Sequence, residues 1–146
     1  MKYLKLLLTL ALAFTLCACG TASSGSSADV SELETTFGID LSDASYSADE
    51  VKNTAGGFHG DGAIVSKITF DSDPAEAFSS WDKLPVSDEV TALFERFADD
   101  WGEAPSASNG CWKYVEESDD TEYSYNSRIA IYDADENILW YYIINT

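Results

Sequence analysis

The closing segment Ile138-Leu139-Trp140-Tyr141-Tyr142-Ile143-Ile144 limits the fold more than any other stretch. It holds no charge and no chain breaker, and nearly every residue is β-branched or aromatic, the types that favour a pleated strand. Side chains alternate along a strand, so Leu139, Tyr141 and Ile143 share one face while Ile138, Trp140, Tyr142 and Ile144 share the other. A strand apolar on both sides belongs inside a sheet, covered to some degree on each. Residues 123–132 show the same alternation, with Ile129 and Ile131 opposite Ala130 and Tyr132. The polar run Asp133-Ala134-Asp135-Glu136-Asn137 between the two segments predicts a hairpin turn.

Residues 29–37 predict a short helix, with Val30, Leu33 and Phe37 at helical intervals, Ser31 and Glu34 at capping-box spacing, and Gly38 as its stop. Part of 44–53 is a weak strand whose only large apolar residues are Tyr46 and Val51. Residues 63–70 form a second strand, with Ile64, Ile68 and Phe70 on one face and Lys67 and Thr69 on the other, paired as a hairpin with the first. Asp73 and Pro74 suit the start of a helix to about residue 81, carrying Phe78 and Trp81 on one face and ended by Leu84-Pro85. The clearest helix starts after Ser87 and runs to 99 or 100. Asp88 and Glu89 meet its positive end, and Val90, Leu93, Phe94 and Phe97 form its core stripe. A polar loop over 103–110 leads to a strand over 111–116, with Cys111 facing away from Trp112 and Tyr114, and then to an acidic turn over 117–122. These elements predict an α+β domain: an antiparallel sheet of about five strands with two or three helices packed on one face.

The first residues follow a different pattern. Lys2 and Lys5 precede an apolar run over 6–16 broken only by Thr9 and Thr15. That run is too short to span about 30 Å of hydrocarbon and suits the apolar part of an export signal. It ends in Leu16-Cys17-Ala18-Cys19, which resembles the lipobox of bacterial prolipoproteins. The resemblance implies a signal peptide over 1–18 and a diacylglyceryl thioether on Cys19, the new first residue. It also implies palmitate-type acyl chains in the bilayer and a location at the outer face of the bacterial cell membrane. Two acyl chains hold a protein stably where one holds it marginally. After Cys19, residues 20–28 contain only Gly, Ser, Thr and Ala, a linker with a root-mean-square span of roughly 17 Å. The single domain then occupies 29–146.

Loss of Lys2 and Lys5 with the leader takes the formal charge from −18 to −20. Such a surface excludes nucleic acid as a partner, since phosphates require Lys and Arg. It also disfavours lying flat on anionic lipid. With Cys17 removed and Cys19 acylated, Cys111 is alone, cannot form an internal disulfide and suits a small buried position.

One loop is a candidate site: Gly56-Gly57-Phe58-His59-Gly60-Asp61-Gly62. Its glycines allow unusual backbone angles or close approach to the backbone. His59 is the only histidine, and Asp61 stands near enough to orient it. The loop is a tight turn bonded to itself, a ligand or partner site built on Gly57, Phe58, His59, Gly60, Asp61 and Gly62, or a catalytic pair. A lone histidine does not make a usual zinc site, so neither metal nor cofactor is expected. Residues 133–137 imitate the first half of a calcium loop but place Ile138 and Ile144 where Gly and Glu are needed. Cys111 with His59 lacks a third orienting group.

The 56–62 block with the strand after it, the Trp81…Leu84-Pro85 step and the Ile131-Tyr132-Asp133…Leu139-Trp140-Tyr141-Tyr142 pattern resemble a group of uncharacterised proteins of Gram-positive bacteria, many of them lipoproteins. GGFHGDG is the most specific element; Ala55 stands where the group suggests a polar residue. The resemblance implies a cell-envelope location and no particular activity. The expectation is a membrane-anchored module that binds a protein, peptide or wall component. The alternative is an envelope hydrolase using His59 and Asp61.

Overall fold

The computed structural model describes residues 27–56, 61–117 and 126–146, with side chains from residue 30 onward in the first segment. In chain order the elements are helix α1 (Ser27–Phe37), strands β1 (Tyr46–Asn53), β2 (Gly62–Phe70) and β3 (Asp82–Lys83), helices α2 (Asp88–Arg96) and α3 (Ala98–Trp101), and strands β4 (Gly110–Glu116), β5 (Asn126–Asp133) and β6 (Ile138–Asn145). The strands form one open sheet in the order β1-β2-β6-β5-β4-β3, every neighbouring pair antiparallel. The fold is α+β, as expected, with six strands rather than five.

The closing strand lies inside the sheet, between β2 and β5. Its two-sided apolar character has a direct consequence: helices cover both faces, not one. On the first face Val30, Leu33 and Phe37 of α1 pack on Ile68, Ala130, Tyr132, Leu139, Tyr141 and Ile143, and Phe78 and Trp81 join them. On the second, Val90 and Phe94 of α2 and Trp101 of α3 pack on Val65, Ile129, Ile131, Tyr142 and Ile144. The cover expected on both sides of this strand is present, but the helices supply it on both faces rather than on one, because Ile138, Trp140, Tyr142 and Ile144 need burial as much as the opposite set does.

Several local expectations change for tertiary reasons. Helix α1 begins before Ser31, so Ser31 is inside it and its carbonyl accepts the Thr35 hydroxyl at 2.9 Å. Glu34 works at the far end instead, accepting the Leu41 backbone N–H at 2.8 Å, while Gly38 stops the helix at φ 64°. Residues 74–81 form successive turns with bonds three residues apart rather than an α-helix. The Asp73 carboxylate still caps them, accepting from Ala75 N at 2.9 Å. Ser87 caps α2 as expected, but the long helix breaks at Phe97, which has φ −107° and ψ 26°. The break aims Trp101 at the sheet, where its indole N–H donates to the Ile143 carbonyl at 2.9 Å. In β1 the register slips between Glu50 and Lys52, leaving Val51 as the bulged residue, 55% exposed.

Burial raises the phenol pKa of Tyr141 and Tyr142, and that of Tyr132, which also donates to Asp73. An unfolded tyrosine ionises near pH 10. Above that pH the unfolded chain releases these protons first, so stability is full below about pH 10 and falls as pH rises past it. Alkaline titration is expected to show these phenols ionising only together with loss of the near-UV circular dichroism. Complete ionisation with native dichroism would contradict their burial.

Candidate functional site

Of the candidate loop, Gly56, Asp61 and Gly62 are described; Gly57, Phe58, His59 and Gly60 lie outside the described residues, as does Cys19. The neck of the loop is therefore what the structure builds. The Thr54 backbone N–H donates to the Ala63 carbonyl at 2.8 Å, and the Ala63 N–H donates to the Thr54 hydroxyl at 2.9 Å. One rung further, the Gly56 N–H donates to the Asp61 carbonyl at 3.4 Å. Asn53 closes the β1 side, accepting from Ala55 N and donating to Glu50, both at 2.9 Å.

This neck explains Gly62. Its φ is 141°, and a Cβ there would stand 2.5 Å from both the Thr54 carbonyl oxygen and Ala55 Cα. The last glycine of the motif thus lets two backbones close the hairpin. Asp61 is exposed beside it, with its carbonyl bonded to Gly56. Thr54 is the neck residue that sequence reading missed. A hydroxyl eight positions before Gly62 sends no periodic signal, and its role exists only once β1 and β2 pair.

The end of the sheet that carries this neck also carries a charge cluster. Gly62 pairs with Asn145, Asn145 with Asn126, and Glu116 with Ser127. Just inside, Arg128 is 8% exposed. Its Nε meets the Glu32 carboxylate of α1 at 2.9 Å, and one Nη donates to Asn145 Oδ1 at 2.9 Å and to the Ser127 and Ile144 carbonyls. Glu117 stands 3.9 Å from the other Nη. The cluster ties the first helix to the two innermost strands at this end. It was not foreseen, because a single Arg in an alternating strand does not reveal which acid will face it.

Cys111 is remote from the loop neck. It pairs with Tyr132, which pairs with Leu139, which lies opposite Ile68. Ile68 stands six residue steps along β2 from Gly62, roughly 20 Å. The thiol is 5% exposed, and burial pushes its pKa up, with Lys83 opposing and Asp73 adding to the shift. A buried thiol held protonated is a poor nucleophile, so Cys111 serves as packing. It lines a cleft of about 80 Å³ with Phe78, Lys83, Asn109 and Tyr132, smaller than an ordinary small-molecule site.

The 133–137 segment is a hairpin turn, as expected. Asp133 Oδ1 accepts the Asp135 N–H at 3.0 Å, and Asn137 takes φ 56°. Two of the four tryptophans, Trp81 and Trp101, are core, while Trp112 and Trp140 are half-buried. No family model, curated protein or solved structure matches the chain.

Proposed function

We propose that the protein is a lipid-anchored extracytoplasmic module, held at the outer face of a bacterial cell membrane through Cys19, that binds a protein, peptide or wall component. The observation that carries this reading is Leu16-Cys17-Ala18-Cys19 placed directly after a basic start and a short apolar run. The Cys111 thiol, buried about three strands away from the loop neck and packed as a hydrophobe, argues against a Cys111–His59 pair; a hydrolase using His59 and Asp61 is the alternative to binding.

Radioactive palmitate is expected to label the full chain and to leave Cys19→Ala unlabelled and released from membranes. A wild-type chain without label would reject the anchor. For the loop, Asp61→Ala should change stability by less than about 0.5 kcal/mol, since the side chain is exposed. Combined with His59→Ala, it should abolish crosslinking to the envelope partner. Loss of turnover of an envelope substrate instead would favour the hydrolase reading.

A further inference from the structure

The topology decides where the anchor joins the domain. The β1–β2 neck, the outlet of β4, the start of β5 and the end of β6 share one end of the sheet. The β5–β6 turn and Phe70, the last residue of β2, share the other, where the Phe70 N–H donates to the Asn137 carbonyl at 3.0 Å. Helix α1 runs from the first end toward the second. Glu32, at its midpoint, reaches Arg128 near the start of β5. Phe37, in its last turn, packs on Trp81 beside β3 and on Tyr141 in the middle of β6. Ser27 precedes Glu32 by five residues, about 7 Å of helix, so the chain enters the domain at the end that carries the glycine-loop neck.

We propose that this end of the sheet faces the lipid surface and that the β5–β6 turn faces away from it. The inference rests on acylation of Cys19, as proposed above. Eight peptide steps separate Cys19 from Ser27, at most roughly 29 Å of chain. The central strands β5 and β6 are each eight residues long, which puts the two ends roughly 26 Å apart. At every extension of the link, the entry end can come closer to the headgroups than the far end, unless the domain tips right over. Adhesion does not favour tipping. The chain is acidic, and exposed carboxylates stand at both ends: Asp61, Glu116 and Glu117 at one, Asp71, Asp135 and Glu136 at the other. Anionic headgroups repel both sets, so covalent attachment decides the average orientation. A partner docking at the loop neck must then sit in or beside the membrane. The Phe78–Cys111 cleft and the β5–β6 turn are open to partners on the wall side.

The test uses the mature acylated protein, beginning at Cys19 and carrying Cys111→Ala, reconstituted in phosphatidylcholine vesicles doped with a nickel-chelating lipid. Spin labels are placed singly at Asp61→Cys or Ala55→Cys near the neck, and at Glu136→Cys or Ser72→Cys at the far end; all four positions are exposed. The expected result is relaxation by nickel lipid several-fold stronger at 61 and 55 than at 136 and 72. Equal or reversed relaxation on membrane-bound protein overturns the orientation and leaves the anchor standing. Failure of the acylated chain to float with the vesicles, judged against Cys19→Ala, removes the anchor and the orientation with it.

Discussion

Gly110→Ala is expected to destabilise the domain by at least about 3 kcal/mol, with the melting temperature falling by roughly 10 °C or more. Gly110 opens β4 at φ 142°, and a Cβ there would lie 1.9 Å from the Tyr132 carbonyl oxygen and 3.3 Å from Ala134 N. Those neighbours are backbone, so no side chain can swing aside. The same glycine accepts the Leu84 N–H at 3.3 Å and pairs with Asp133, so relief of the clash would pull β4 from β5 and unseat β3. Gly62→Ala, facing backbone at 2.5 Å, belongs to the same class. Gly38→Ala is the control. Its φ is 64°, but a Cβ there meets nothing within 4 Å, so it should cost only about 1 kcal/mol. Urea unfolding of the three variants checks the ranking; equal losses at Gly110 and Gly38 would contradict the close approach of β4 and β5.

Arg128→Ala should cost about 2–4 kcal/mol. The guanidinium satisfies Glu32, Asn145 and two main-chain carbonyls in a site almost closed to water, and its removal leaves those acceptors short and a gap between α1 and the sheet. The Glu32 side chain is 42% exposed, so its carboxylate regains water when the partner is lost, which keeps the cost below that of a fully buried orphan charge. Arg128→Lys should recover little, because one ammonium cannot reproduce the planar fork that spans these partners. Glu32→Gln should cost about 1 kcal/mol, and a double-mutant cycle should report coupling of similar size. Full rescue by lysine would mean that charge alone matters there.

Different parts of this architecture were legible to different degrees. Strand β6 occupies 138–145, where its alternation placed it, and β2 begins one residue before the apolar pattern does. The stripe Val90, Phe94 and Phe97 is buried as its spacing required. Strand β3 had no local signal. Asp82 and Lys83 are both exposed, and they are a strand only because Trp112 and Cys111 lie beside them. The second covered face could have been inferred from β6 itself, yet short local hairpins suggested the simpler two-layer packing. At the candidate site, the glycine-rich composition marked the loop. The need for Gly62 in particular became visible only with the Thr54 carbonyl oxygen against it.

The order of amino acids was enough to determine the class of the domain, its innermost strand, the stripe of α2 and the turn at 133–137. Each of these depends on contacts between near neighbours or on the period of burial along one element. Tertiary structure alone decided the strand order, the partners of Arg128 and the glycines that cannot be replaced. Those outcomes depend on segments tens of residues apart coming within van der Waals distance, and no local pattern encodes which segments will meet.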